Sequence, residues 1–187
     1  MQQFLRNLFE DEQTSESFPD EIVNFLVKMY ARKGTPQLKY QEHEFSKIAK
    51  TKKLKLPGDI NVDWSKVDAA YSYKHFTLIV NTESKSDVKK KISDILHEIQ
   101  HYNQHTKWLT DGSFREKFVK GKKLPSSVVD DPISLYEISW NDITEFWVRK
   151  YGYANAPHEV DAKRFADLKV GEAYQFVIEH FSDVLPK

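Results

Sequence analysis

The sequence predicts an α+β fold, in which a small, mostly antiparallel sheet packs on one long helix and is followed by a helical C-terminal part. Three observations support this prediction. Between Gln37 and Asn81, alternating or β-branched apolar residues indicate strands. From Val88 to Ile99, apolar residues recur at helical spacing. Helical spacing then returns in several segments after Pro132.

Composition limits the size and chemistry of this fold. The 187 residues are 40% hydrophobic and 13% aromatic, which is enough for one compact domain. We expect that domain to span residues 18–187, after a loose polar lead-in at residues 1–17. The absence of cysteine excludes disulfides and thiolate metal sites, so only imidazole and carboxylate groups remain as metal ligands.

Charge and targeting signals give the expected location. Lys and Arg total 28, as do Asp and Glu, so no general attraction to nucleic acid or to an anionic membrane is expected. The first residues carry no signal-peptide pattern, and no segment is apolar over the length of a membrane span. We therefore expect a cytoplasmic protein.

The N-terminal part is predicted to be one helix followed by strands. Asp20 is a plausible N-cap, and Gly34 lies where a helix would stop. Three or four strands should follow. Pro57-Gly58 marks a turn, and the runs 70–73 and 76–80 are separated by a joint short enough for a hairpin.

The long helix is predicted to begin near Ser84 and Asp87, which stand at capping-box spacing. On a helical wheel its apolar stripe lies on one side, and His97 and His101 lie on the other, together with Asp94. The stripe consists of Val88, Ile92, Ile95, Leu96 and Ile99. The helix thus has one face for the core and one face rich in polar groups.

The polar face carries the motif His97-Glu98-Ile99-Gln100-His101, an H-E-x-x-H pentapeptide. Helical spacing places the two histidines one turn apart, where both can bind a single metal ion. Glu98 then stands beside that ion, where its carboxylate can take a proton from water. This pattern points to metal-assisted hydrolysis.

The rest of the chain is predicted to contain a loop and three helices. Residues 108–132 look irregular and could form a loop over the site. A helical pattern then runs from Ile133 to near Gly152, a second begins after Pro157, and a last one spans 174–181.

A catalytic zinc site needs a third protein ligand. The histidine of the H-E-x-x-H-x-x-G-x-x-H version is absent, because Gln104 and Lys107 occupy the glycine and last histidine positions. His105 lies two turns beyond His97, about 12 Å along the axis, which is too far for one ion.

A carboxylate from a later helix is the alternative, and Glu159 is the strongest candidate. Pro157 sets a helix start, and an acidic side chain is favoured in a first turn. Asp161 could instead support a ligand histidine. Three further residues stay open as the third ligand: Glu137, Glu145 and His158.

Taken with the downstream E-x-x-A of Glu159 to Ala162, the motif resembles the zincin metallopeptidases that complete H-E-x-x-H with a glutamate. The order of elements is similar to the minimal SprT-like and ImmA-like versions of that fold. The resemblance implies a zincin-like fold, Zn²⁺ bound by His97, His101 and Glu159, and Glu98 as general base. It also implies a peptide or protein substrate.

Two features of the reaction and its partners stay open at this point. Tyr151, Tyr153 and His158 precede or begin the predicted ligand helix and are candidates to stabilise the oxyanion. Lysine clusters, for example Lys117 to Lys123, keep a DNA-associated protease as an alternative, although solvated faces are the simpler interpretation. Another alternative is a metal-binding module of the same fold that hydrolyses nothing.

Overall fold

A computed structural model describes residues 18–34, 36–50, 67–125 and 137–185, with the side chains of 48–50 left out. The predicted lead-in at 1–17 and the predicted turn at Pro57-Gly58 lie outside the described residues. Helix α1 spans Asp20–Tyr30 and buries Ile22, Val23 and Leu26. Its N-cap position is held by Pro19, one residue before the predicted Asp20.

The sheet has three described strands: β1 at Lys39–His43, β2 at Ala69–Ser72 and β3 at Thr77–Asn81. Their order is β1-β3-β2. Strands β2 and β3 form the predicted antiparallel hairpin, but β1 pairs with β3 in parallel. The prediction of a mostly antiparallel sheet was therefore wrong for β1, and the sheet is mixed.

The length of the connection between β1 and β2 accounts for the parallel pairing of β1 with β3. Helix α2, at Phe45–Lys50, follows β1 directly, and a long connection then leads to β2. A connection of this length can cross over the sheet, which parallel pairing requires. Alternation along β1 indicates a strand, but it carries no information about direction.

Helix α3 spans Val88–Thr110 and packs against the sheet and α1. Its N-cap is Asp87, whose side chain accepts the Lys90 backbone N–H at 2.8 Å. Ser84, the predicted partner in a capping box, instead contacts the Asp68 carboxylate. The predicted apolar stripe is buried from Ile92 to Ile99.

The segment after α3 is more helical than predicted. Helix α3 continues through Trp108 to Thr110, and α4 spans Gly112–Val119. Asp111 separates these two helices, and its side chain caps α4 by accepting the Phe114 backbone N–H at 3.0 Å. The irregular loop predicted for 108–132 was thus wrong for its first part, while residues 126–132 lie outside the described chain.

The C-terminal part is helical, as predicted. Helix α5 spans Trp140–Tyr151 and stops at Gly152, whose φ of 77° is in the left-handed region that favours glycine. A short 3-10 turn leads to α6 at Pro157–His180. This is one helix where two were predicted. Gly171 costs only about 1 kcal/mol of helix propensity, and buried Ala166, Ala173 and Val177 hold the helix against the core.

Two hydrophobic clusters determine where polar groups can meet. The first cluster joins α1, the sheet, α3 and α6 and includes Leu26, Leu96 and Val177. The second joins the end of α3 to α4 and α5 and includes Trp108 and Trp147. Along α3 the H-E-x-x-H motif lies between the residues of these two clusters. No helix among the described residues is long and apolar enough to cross a membrane.

Candidate metal centre

The two histidines of the motif turn their rings towards each other. His97 and His101 lie one turn apart on α3, and their Nε2 atoms are 3.0 Å apart. His101 is buried, whereas the His97 side chain is 22% exposed. One ring of the pair is therefore enclosed by the protein, and the other is partly accessible to solvent.

Glu159 brings a carboxylate oxygen to both rings. It lies in the first turn of α6, where Pro157 begins the helix, and its Oε2 is 3.1 Å from His97 Nε2 and 3.4 Å from His101 Nε2. Tetrahedral zinc with bonds of about 2.0–2.1 Å separates its ligand atoms by roughly 3.3 Å. Three lone-pair atoms at 3.0–3.4 Å from one another fit such an ion.

Hydrogen bonds from deeper in the protein fix the tautomer of His101. Its Nδ1 lies 3.1 Å from Gln104 Oε1. The Gln104 amide group donates to Asp161 Oδ2 at 2.7 Å and to the His158 carbonyl at 3.0 Å. The Gln104 oxygen therefore faces His101, which must donate from Nδ1 and present Nε2 to the site. Asp161, predicted as a possible support for a ligand histidine, contacts His101 only through Gln104.

Glu98 lies beside the two histidines, and its carboxyl pKa is raised. One of its carboxylate oxygens and the ring nitrogens of His97 and His101 all lie within 4.8 Å of one another. Burial raises the pKa of the Glu98 carboxyl, and the histidines oppose that rise only in part. A carboxylate with a raised pKa holds a proton more readily at neutral pH than an ordinary surface glutamate does.

The electrostatics couple His101 to Glu159. Burial lowers the pKa of His101, but the charge and hydrogen bond of Glu159, the charge of Glu98 and the hydrogen bond to Gln104 together outweigh it and raise the pKa to about 9. Burial would raise the pKa of Glu159, yet the positive charge and hydrogen bonds of His101 lower it well below its usual range. With no metal bound, the site thus retains a proton between an imidazole and a carboxylate.

The other candidates for the third ligand make different contacts, and one of them, His158, touches Glu159 itself. Glu145 pairs with Arg149 on α5 at 3.1 Å, with its side chain 37% exposed. Glu137 is exposed in the turn before α5. His158 is buried beside Glu159, with its Nε2 at 3.3 Å from Glu159 Oε1. His105 is buried too, and its Nδ1 is bonded to the Tyr71 hydroxyl at 3.0 Å.

Two tyrosines, Tyr153 and Tyr73, lie near Glu159 and Glu98, and only Tyr153 was a candidate from the sequence. The Tyr151 hydroxyl accepts the Lys123 N–H at 2.9 Å and so faces the segment after α4. Tyr153 and Tyr73 remain near the site. Burial, and then the charges of Glu159 and Glu98, raise the pKa of both phenols, which stay protonated. Tyr73 follows β2, and its ring centroid is 6.5 Å from that of His101.

Comparisons with protein-family models, with curated proteins and with solved structures found no match for this chain.

Proposed function

We propose that the protein is a zinc-dependent peptidase that hydrolyses peptide bonds in peptide or protein substrates. The observation that carries this proposal is the convergence of His97 Nε2, His101 Nε2 and Glu159 Oε2 within 3.0–3.4 Å, beside the carboxylate of Glu98. The fold that fits this arrangement is zincin-like, with α3 as its active-site helix and α6 as its ligand helix.

Zinc in such a site supplies a Lewis acid that polarises a carbonyl and lowers the pKa of water from 15.7 towards about 7. Glu98 takes one proton from the attacking water as the water oxygen bonds to the scissile carbonyl carbon. Glu98 then gives this proton to the amide nitrogen as the carbon–nitrogen bond breaks. The products are a carboxylic acid, which retains the second proton of the water until it ionises, and an amine.

Two further features of the reaction are the stabilisation of the oxyanion and the direction from which the substrate approaches. Tyr73 and Tyr153 keep their protons because burial, and then the charges of Glu159 and Glu98, raise their pKa, so either can donate a hydrogen bond to the developing oxyanion. Substrate approaches from the side of His97, since its side chain is 22% exposed and those of His101 and Glu159 are 3% and 7% exposed.

The variant Glu98→Gln tests the mechanism. It removes the base and keeps the shape of the side chain, so zinc binding should stay at one equivalent. Hydrolysis of casein or of quenched-fluorescence peptides should fall at least about 100-fold. Glu145→Gln, a surface glutamate of α5, is the matched control and should leave both unchanged.

Undiminished cleavage by Glu98→Gln would contradict the mechanism. Wild-type protein that holds one zinc, loses its fold with a chelator and cleaves none of these substrates would instead support the non-catalytic metal-binding module.

A further inference from the structure

His158 is almost completely buried, with 1% of its surface exposed, at the boundary between the site and the second hydrophobic cluster. Its ring stacks on Trp147 at a centroid distance of 6.1 Å and meets Trp140 edge-on at 6.2 Å. Two indoles therefore fix the plane of this imidazole. A histidine needs such support only where its ring orientation matters or where it fills core volume, and its polar contacts distinguish these cases.

The ring of His158 holds one oxygen of Glu159. His158 Nε2 lies 3.3 Å from Glu159 Oε1, while Glu159 Oε2 faces His97 and His101. His158 Nδ1 is buried and has no hydrogen-bond partner among the described residues. Protonation on Nε2 gives Glu159 a donor, whereas protonation on Nδ1 would face two lone pairs and bury an unpaired N–H. The imidazole is therefore a donor to Oε1.

The backbone of the same residue holds the second ligand. The His158 carbonyl accepts the Gln104 amide at 3.0 Å, and Gln104 Oε1 in turn accepts from His101 Nδ1 at 3.1 Å. His158 thus contacts Glu159 through its ring and His101 through one intermediate side chain. It contacts the proposed ligands of both α3 and α6, and its ring nitrogen lies on Oε1 of Glu159, the oxygen other than the converging Oε2.

We infer that His158 is a positioning residue that keeps Glu159 a one-oxygen ligand and so leaves a fourth coordination position open for water or substrate. This inference rests on the proposed zinc site. A carboxylate with both oxygens free can bind through both, which would fill the position that catalysis requires. Engaging Oε1 with an N–H donor removes this alternative.

Three substitutions distinguish the effect of the N–H donor of His158 from the effect of its buried side-chain volume. His158→Phe keeps a flat ring and removes both nitrogens. In His158→Gln the amide nitrogen reaches the place of Nε2, whereas in His158→Asn it reaches only the place of Nδ1. The backbone bond to Gln104 is available in all three variants. Gln and Asn bury the same polar group, so their comparison decides the outcome even if the Phe variant folds poorly.

The measurements are zinc affinity by competitive titration and the visible absorption of the Co²⁺-loaded protein, which reports coordination number. Loss of a supporting hydrogen bond lowers metal affinity by about 10–100-fold, and we expect this loss for Phe and Asn. Their Co²⁺ spectra should weaken as both Glu159 oxygens bind. Gln should restore the affinity and the spectrum of the wild-type protein. Trp108→Phe, in the same aromatic cluster, should change neither.

Unchanged affinity and spectra in His158→Phe and His158→Asn would overturn the inference while zinc binding by the wild type still stood. Complete loss of bound zinc in His158→Phe would overturn it differently, because His158 would then be a ligand. A wild-type protein that takes up no zinc would contradict the proposed function itself, and the inference with it.

Discussion

At the scale of single residues, the proposed metal site depends on groups outside its three proposed ligands. Gln104 is 1% exposed and joins His101 to Asp161 and to the His158 carbonyl. The Gln104 amide cannot flip without losing its hydrogen bonds to Asp161 Oδ2 and the His158 carbonyl, so the protein itself holds the orientation of the His101 ring. Preorganisation of this kind is reflected in metal affinity more than in fold stability.

Gln104→Ala should therefore weaken zinc binding by about 10–100-fold, since His101 loses the acceptor that selects its tautomer. Competitive titration with a zinc-binding dye measures this change. Asn103→Ala is the control on the same helix, because Asn103 bonds the backbone of Tyr30 and Arg32 and the Gln100 side chain, but none of the proposed ligands. Equal zinc affinity in Gln104→Ala and wild type would show that the buried network does not support His101.

His105 makes a separate prediction about stability and pH. Burial lowers its pKa in the folded protein to about 4, below the value of about 6.5 in an unfolded chain. Between these values only the unfolded chain takes up the proton. The free energy of unfolding therefore falls as the pH drops from 6.5 towards 4. The loss contributed by this residue is up to about 3 kcal/mol.

Urea unfolding of the chelator-treated protein at pH 7 and pH 5 tests this contribution. His105→Gln should flatten the loss of stability on acidification, and His75→Gln, at an exposed position in the hairpin turn, should not. An identical loss in wild type and His105→Gln would mean that the buried ring is not the group that titrates.

At the scale of elements, α3 and α6 determine the site because they carry all of its proposed ligands. Both helices are long, and each contributes apolar residues to the first cluster: Ile92 to Ile99 from α3, and Ala166 to Val177 from α6. The small side chains of Ala162 and Ala166 are buried and allow the helices to approach closely. Glu159 then reaches His97 from the first turn of α6.

Replacement by alanine should change the free energy of unfolding in opposite directions at the two glycines Gly171 and Gly152. Gly171 is exposed within α6, and a Cβ there would meet nothing within 4 Å. Gly171→Ala should raise the free energy of unfolding by about 1 kcal/mol because it restores helix propensity. Gly152 has equal space but a φ of 77°, so Gly152→Ala should lower it by about 1 kcal/mol.

Urea unfolding of both variants measures the two changes, with zinc removed so that the site does not contribute. A loss of stability in Gly171→Ala would contradict the continuous helix at Pro157–His180 and favour the break between two helices that the sequence alone suggested.

The elements also show how far sequence reasoning reached. The relation of His97 to His101 follows from helical period alone, and the β2–β3 hairpin follows from local turn chemistry. The direction of β1 and the continuity of α6 were missed because each depends on tertiary contacts made far along the chain. The role of Gln104 had a local signal, since it stands three residues after His101 on the same helix face. Tyr73 had none, because only packing brings the hairpin turn to α3.

At the scale of the whole molecule, the proposed ion would join segments that are far apart in sequence. His101 and Glu159 belong to different helices, and the second hydrophobic cluster is built from the chain between them. An ion bound by both helices stabilises only the folded state. Binding of zinc should therefore raise the free energy of unfolding of the whole protein.

Thermal denaturation with and without zinc measures this linkage. Zinc at 100 times its dissociation constant adds about 2.7 kcal/mol to the free energy of unfolding, and the melting temperature should rise accordingly. Glu159→Ala should abolish most of the rise because it leaves the ion on α3 alone. A full zinc-induced rise in Glu159→Ala would mean that α6 takes no part in binding.

The most direct measurement is anomalous diffraction at the zinc absorption edge from crystals of the zinc-loaded protein. The account predicts one peak about 2.0–2.2 Å from His97 Nε2, His101 Nε2 and Glu159 Oε2, with a position open towards Glu98. A crystal that shows no peak there, or shows zinc held by other residues with these three side chains turned away, would contradict it.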